Sequence, residues 1–127
     1  RVGIVVQSTL VAEKAGKIAA VLVPKSKEVR VLNTICHVTT ERQAEARGLS
    51  GTSDVILVVG SPHSSNSRKL TEVCSKDGTE THMVETVMDT GVARLEGKRH
   101  ASIQAGASTP GVIIDEIVEF LARRLGA

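Results

Sequence analysis

Side chains that could bind an oxyanion occur at four points of the sequence, each shortly after a run of apolar residues. They are Ser8, Thr39, the group Ser64, Ser65 and Asn66, and Ser108. Hydroxyl and amide groups donate to phosphate oxygens, and a helix N-terminus beside them adds backbone donors. Ordinary helix capping would explain any one of these turns, since Ser, Thr and Asn are common caps. Three such residues at 64–66 exceed what one cap needs, so this group predicts an anion-binding site.

Cys36 lies between a predicted strand and a predicted helix. A helix start lowers the pKa of a thiol, which suits a metal ligand or a nucleophile. The alternative is a buried, inert cysteine. Because no Cys-x-x-Cys partner exists, spacing alone favours that alternative. Cys74, on the apolar face of a predicted helix, is predicted to be core.

Other chemical motifs are weak in this sequence. His37 and His63 flank the hydroxyl-rich turns, but a loop histidine is more often simply solvent-exposed. No two histidines have zinc-ligand spacing, and no glycine-rich nucleotide loop or Gly-x-Ser-x-Gly elbow occurs. Asp115 and Glu116 are predicted to lie on a solvated helix face. The hydroxyl-rich turns and Cys36 are therefore the main candidates for chemistry.

The elements that must position these residues alternate between strands and helices. Strands are predicted at 3–6, 28–32, 54–60, 81–85 and 100–104, and helical patterns at 10–23, 40–48, 66–77, 89–95 and from Pro110 onward. This alternation predicts an α/β fold with a parallel sheet covered by helices. Since ligands of such sheets bind at the carboxyl ends of the strands, we expect the turns to converge there.

Capping patterns and apolar spacing predict the helix starts and buried faces. Thr40 with Gln43, Ser65 or Asn66, and Thr109 before Pro110 are the predicted N-terminal caps. The residues predicted to face the core are Leu70, Val73 and Cys74 in one helix, and Ile113, Ile114, Ile117, Val118, Leu121 and Leu125 in the last.

Composition excludes several classes of protein. Among 127 residues there are one Phe, no Trp and no Tyr, and the net charge is only +2. With so few aromatic residues and no Lys/Arg run, we expect no nucleic-acid partner. No apolar run is long enough to cross a bilayer, so no membrane partner is expected. Two cysteines indicate a reduced, cytoplasmic setting, and a start at Arg1 inside a predicted strand suggests a fragment.

The turns, taken in order, resemble the LytB/IspH family of hydroxymethylbutenyl diphosphate reductases. The matching segments are 7–10, 35–43, 58–67 and 105–110. The resemblance implies three similar α/β lobes around a 4Fe-4S cluster, with residues 1–33 completing the second lobe and 34–127 forming the third. It implies reductive dehydroxylation of an allylic diphosphate to isopentenyl and dimethylallyl diphosphates in the non-mevalonate pathway. A ferredoxin or flavodoxin-type protein would supply the electrons.

Carried over by position, the resemblance makes Cys36 one cluster ligand. Ser64, Asn66 and Ser108 would bind the diphosphate, with Ser65 close by. Ser8 and Thr39 would line the pocket.

The chain also departs from the family pattern. The family's other cluster cysteines, its histidines and its catalytic Glu lie upstream of this sequence, so no catalytic residue is expected in it and the isolated chain should be inactive. Glu41 and His63 stand where the family commonly has Asn. The alternatives are a non-catalytic phosphate-binding α/β module and a thiol enzyme with Cys36 as nucleophile.

Overall fold

Five short strands alternate with four α-helices in the computed structural model, which describes residues 1–93 and 95–126. The elements are β1 (Val2–Val5), α1 (Ala12–Leu22), β2 (Val29–Leu32), α2 (His37–Ser50), β3 (Val55–Val59), α3 (Ser65–Ser75), β4 (Glu80–Val84), β5 (Ala101–Ala105) and α4 (Gly111–Leu125). All strand pairs are parallel. The predicted α/β class is confirmed, with each predicted strand shifted by one residue or less at its start.

The chain divides into two units, Arg1–Glu41 and Arg42–Ala127. In the first unit β1 pairs with β2, and α1 connects them, followed by a short 3-10 helix at Val23–Lys25. Its buried apolar residues are Val6 and Ala15. The predicted boundary between lobes, at 33/34, stays a prediction.

The second unit is built on a three-stranded sheet in the order β4-β3-β5. All five residues of β3 are buried, which confirms the prediction of a central strand covered on both faces. Val55, Leu57 and Val59 pack with Ile117 and Leu121 of α4 on one face. Burying each such side chain stabilises a fold by about 1.5–3 kcal/mol. This face therefore anchors the strand whose end carries the candidate site.

The predicted face of α3 is confirmed in full, whereas in α4 the predicted residues Ile113, Ile114 and Leu125 are only partly buried. Leu70, Val73 and Cys74 of α3 are buried, as are Ile117 and Leu121 of α4. Val118 was predicted to join them but is 48 % exposed, because it lies at the margin of the apolar stripe. In the described residues, no helix is both long and apolar enough to span a bilayer.

Three predicted helix starts are wrong. The α2 helix begins at His37, so Thr40 is inside it, and the Thr40 hydroxyl donates back to Cys36 O at 3.3 Å instead of capping. The cap of α3 is Ser64, one residue before the predicted pair. In α4 the cap is Pro110, because the Thr109 hydroxyl donates to Val59 O at 2.9 Å and is unavailable.

The weak helical stretch predicted at 89–95 is a 3-10 helix at Val87–Val92. Thr86 caps it, and the Asp89 carboxylate accepts hydrogen bonds from the Glu85 and Thr86 amides at 3.0 and 2.9 Å. Arg94, within the predicted stretch, lies outside the described residues.

Candidate functional site

A cavity of about 220 Å³ opens at the carboxyl end of the three-stranded sheet. Its lining residues are Val59, Gly60, Ser61, Ser64, Ser67, Glu85, Ser108, Thr109, Pro110 and Ile113. Two of the predicted anion-binding residues, Ser64 and Ser108, thus share one cavity although they follow different strands. Most of its polar lining is neutral hydroxyl, and Glu85 contributes a carboxylate.

The strand register places the ends of β3, β4 and β5 next to one another. Val59 is the partner of Val84 on one side and of Ala105 on the other. One residue after these partners, Gly60 N donates to Val84 O at 2.9 Å and Gly106 N donates to Val59 O at 3.1 Å. The turns after β3 and β5 therefore begin side by side, as the parallel arrangement requires.

Ser64 begins the helix that faces this cavity. Its Oγ accepts a hydrogen bond from Ser67 N at 3.3 Å, which satisfies one amide of the first turn. The hydroxyl hydrogen can still be donated to a ligand. The first turn also carries the positive end of the helix dipole, which favours a bound anion.

Asn66 carries a polar atom that lacks a partner. Its Oδ1 is buried and accepts no hydrogen bond from any described residue. An unsatisfied buried polar atom costs about 1–3 kcal/mol, so such groups usually mark a missing partner. The assignment of oxygen and nitrogen in an amide follows its surroundings, and the amide presents a donor or an acceptor as its ligand demands. Asn66 is not among the residues that line the cavity, and its amide is the group of this helix turn that still lacks a partner.

Two glycines allow the turns to pack closely. A Cβ atom on Gly60 would overlap the Ser67 hydroxyl. One on Gly106 would lie 3.1 Å from Ser67 Oγ and 3.3 Å from Thr109 Oγ1. At Gly60 the approach leaves no room for a side chain, whereas at Gly106 the neighbouring hydroxyls would have to shift slightly. The hydroxyl groups of the two turns are brought together by the absence of side chains at these positions.

Sequence reasoning assigned no role to several lining residues. Ser61 and Ser67 belong to the same hydroxyl-rich run as Ser64, which was a usable signal. Thr109 was interpreted as a cap, and Glu85 as the end of a strand. Glu85 reaches the cavity because β4 ends beside β3, and only the strand order reveals this.

Ser8, Cys36 and Thr39 lie near one another within Arg1–Glu41. Cys36 N donates to Ser8 O at 3.0 Å. The Cys36 thiol is exposed, and the backbone N–H groups of Thr39 and Val38 lower its pKa. Ser8 is exposed and Thr39 is buried. The alternative of a buried, inert cysteine is therefore wrong for Cys36.

Cys74 differs from Cys36 in every respect that matters for chemistry. It is fully buried, and burial raises the pKa of its thiol to about 11. Its Sγ lies 3.9 Å from Ala46 O. The prediction that it belongs to the core is confirmed.

Among the described residues, Cys36 is the one side chain whose chemistry suits a ligand of a metal cluster. Cys36 offers an accessible sulfur whose thiolate form is favoured by helix amides, which is the donor that iron–sulfur clusters use. No group of three or more His, Cys, Asp or Glu that could hold a metal ion occurs in the part of the chain that the structure describes. Any cluster would need further ligands from outside this chain.

Comparison with known proteins assigns the chain to a family. The family described as "LytB protein" matches residues 1–122. The 4-hydroxy-3-methylbut-2-enyl diphosphate reductase of Syntrophotalea carbinolica is 43 % identical over 119 residues, which are 94 % of this chain and 43 % of that protein. The reductase of the same name from Anaeromyxobacter sp. is 39 % identical over 121 residues, 95 % of this chain and 44 % of that protein.

Solved structures give the same result. The E-1-hydroxy-2-methyl-but-2-enyl-4-diphosphate reductase from Plasmodium falciparum superposes with a TM-score of 0.85 at 27 % identity, covering 94 % of this chain and 38 % of that one. The chain spans less than half the length of these relatives. The match nevertheless covers nearly all of its own residues, and the chain belongs to the LytB family.

Proposed function

We propose that this chain is the C-terminal portion of an iron–sulfur reductase that reductively dehydroxylates 4-hydroxy-3-methylbut-2-enyl diphosphate to isopentenyl and dimethylallyl diphosphates. Family membership and the names of the relatives support this proposal. The observation that carries it is the cavity where Ser64 and Ser108 meet, with the unpartnered Asn66 Oδ1 on the same helix turn. Its role in the reaction would be to hold the diphosphate.

In this proposal Ser64, Asn66 and Ser108 bind the diphosphate, with Ser65 close by. Hydroxyl and amide donors suit an anion with many acceptor oxygens, because they need no counter-charge when the site is empty. The dipole of α3 adds a fixed positive end at the same place. The site therefore recognises the diphosphate by its shape and number of acceptors.

Cys36 is the residue that we propose for one ligand of a 4Fe-4S cluster, with Ser8 and Thr39 lining the substrate pocket. The cluster would supply electrons and a Lewis-acidic iron to the substrate. The structure supports the ligand role through the exposed thiol and the helix amides that favour its thiolate form. A catalytic acid and the remaining ligands would come from the rest of the protein, so the isolated chain should be inactive.

The partners implied by this function are an allylic diphosphate and a ferredoxin or flavodoxin-type electron donor. A cytoplasmic setting suits both an exposed free thiol and soluble electron carriers. Nucleic acid and membrane have no role in the proposed reaction.

The diphosphate assignment is tested by Ser64→Ala and Asn66→Ala in the full-length protein. Each lost hydrogen bond to the charged ligand should cost about 1.5–3 kcal/mol of binding free energy. Isothermal titration with inorganic pyrophosphate measures this loss. Ser75→Ala is the matched control, because Ser75 is an exposed hydroxyl at the other end of α3 that donates to Thr71 O. Equal affinity in all variants would remove the assignment.

The cluster assignment is tested by anaerobic reconstitution, with iron and sulfide content as the readout. Cys36→Ser should lose most of the bound iron, whereas Cys74→Ser should keep it, because Cys74 is buried in the α3 core. The isolated chain should hold no stable, stoichiometric cluster. A stable cluster with turnover on this chain alone would contradict the proposal that other ligands are needed.

A non-catalytic phosphate-binding module is the second candidate. One observation favours it: every residue that lines the cavity lies in Arg42–Ala127, so anion binding there does not require Cys36. If the parent gene encodes no cysteines and histidines upstream of this chain, this candidate replaces the reductase. A thiol enzyme is a third reading, tested by alkylation of Cys36 at neutral pH, and sluggish alkylation would count against it.

A further inference from the structure

Arg42 is a charged residue of α2 that contacts the last residue of β5. Its Nη1 donates a hydrogen bond of 2.7 Å to Ala105 O, and its side chain is half-buried. Ala105 is the last residue of β5, and the cavity residues Ser108 and Thr109 follow it three and four positions later. The bond therefore joins α2 to the start of the turn that carries Ser108.

The sheet itself cannot satisfy this carbonyl. Gly106 N points toward β3, because it donates to Val59 O. Within a planar trans peptide the preceding carbonyl points the opposite way, so Ala105 O faces away from β3. Since β5 is the outer strand of the order β4-β3-β5, no strand of the described sheet lies on that side. Arg42 supplies the partner that a further strand would otherwise provide.

The guanidinium also places a positive charge at the end of β5, whereas the cavity lining itself contains no cationic side chain. The lining hydroxyls are neutral, and Glu85 contributes negative charge. Among residues 1–93 and 95–126, no carboxylate forms an ion pair with Arg42. The guanidinium is bonded to the last residue of β5, three residues before Ser108. A positive charge at this point favours an anion bound by the turn that follows.

We propose that Arg42 is a positioning residue of the diphosphate site: its bond to Ala105 O holds the 105–109 turn so that Ser108 faces the cavity together with Ser64. The identity of the ligand in this inference rests on the proposed function. The anchoring of the turn by Arg42 is independent of that function. Arginine suits the role because its planar guanidinium group is always charged and loses little conformational entropy per hydrogen bond. Lysine would keep the positive charge but lacks the planar set of N–H donors.

The test compares Arg42→Ala, Arg42→Lys and Arg47→Ala in the full-length protein. Arg47 is the matched control, since it is an exposed arginine of the same helix, outside the cavity lining. The first readout needs no ligand: hydrogen–deuterium exchange of a peptide covering 103–112, measured by mass spectrometry. Exchange should accelerate in Arg42→Ala, less in Arg42→Lys, and remain unchanged in Arg47→Ala.

The second readout is the affinity for inorganic pyrophosphate. The Kd should rise about tenfold in Arg42→Ala, the amount expected for one lost charge-assisted bond, and remain unchanged in Arg47→Ala. Unchanged exchange in both Arg42 variants would overturn the positioning role. So would full recovery of affinity in Arg42→Lys without recovery of slow exchange, because charge alone would then suffice. If the unaltered protein binds no pyrophosphate but exchange responds to Arg42, the proposed function fails and the anchoring stands.

Discussion

The two ends of the three-stranded sheet carry polar residues that differ in how they are paired. At the carboxyl end, hydroxyl groups surround a cavity, and Asn66 Oδ1 is buried without a partner. At the amino end, charged groups pair with one another. Lys98 and His82 both contact the Glu80 carboxylate at 2.8 Å, and Asp54 Oδ2 accepts from the Arg99 and His100 amides at 2.8 and 2.9 Å.

This difference separates residues that stabilise from residues that bind. The charges at the amino end are paired within the protein. At the carboxyl end, the buried acceptor Asn66 Oδ1 has no partner among the described residues, which costs stability. Polar groups at functional sites are commonly kept in this unsatisfied state. Substitutions at the two ends should therefore change different measured quantities.

The largest effect is expected from Gly60→Ala at the carboxyl end. The added methyl group would overlap the Ser67 hydroxyl, and the first turn of α3 would have to move away from the end of β3. Overpacking of this kind costs about 1–3 kcal/mol of unfolding free energy. Denaturant titration measures it, and pyrophosphate binding should also weaken. Gly111→Ala is the control, because a Cβ there meets open space. Equal stability of both variants would show that Gly60 and Ser67 are not tightly packed.

Ser108→Ala should separate binding from stability. Ser108 is exposed at the cavity, so its loss should leave the unfolding free energy within about 0.5 kcal/mol of the original. Loss of its bond to the ligand should weaken pyrophosphate binding by about 1.5 kcal/mol. Titration calorimetry and thermal unfolding together check this. A lowered melting temperature with unchanged affinity would reverse the roles assigned to the two ends.

Glu80→Gln should give the opposite result at the amino end. Lys98 first, and then His82, lower the pKa of the Glu80 carboxyl from 4.5 to about 2. A carboxyl whose pKa is lowered by folding stabilises the protein above pH 4.5, and this stability is lost as the pH falls toward 2. Because the pairs are partly exposed, the contribution should be about 0.5–1 kcal/mol.

The check is the unfolding free energy of both proteins between pH 7 and pH 2. The difference between them should shrink as the pH falls, and pyrophosphate affinity at neutral pH should not change. A difference that persists at low pH would mean that packing, not ionisation, explains the effect.

The smallest effect is expected from Glu85→Gln, and it should be a gain. Glu85 is exposed and lines the cavity, so its carboxylate repels a bound anion through solvent. Removing this charge should tighten pyrophosphate binding by about 0.2–0.5 kcal/mol at low salt. Titration in low and high salt checks the effect, which should vanish when salt screens the charge. Glu96→Gln, another exposed carboxylate but outside the lining, is the control.

Strands were predicted from the sequence more reliably than helix starts. The apolar run of β3 is unambiguous because a strand buried on both faces excludes polar residues. Helix caps depend on which of several neighbouring hydroxyls turns toward the backbone, and Thr40 and Thr109 both bond to a carbonyl instead. The candidate site shows the same difference. Its hydroxyl-rich turns could be recognised in the sequence, whereas the contribution of Ser67, Thr109 and Glu85 to the cavity lining could not.

The sequence by itself determined the α/β class, the buried central strand, the buried Cys74 and the residues from which an anion site could be built. These features follow from residue type and from spacing along the chain, which local physics controls. Only the tertiary structure decided that Ser64 and Ser108 share one cavity, that Asn66 Oδ1 stays unpaired and that Arg42 reaches Ala105 O. Each of these depends on strand order and register, which join positions far apart in the chain and leave no local signal.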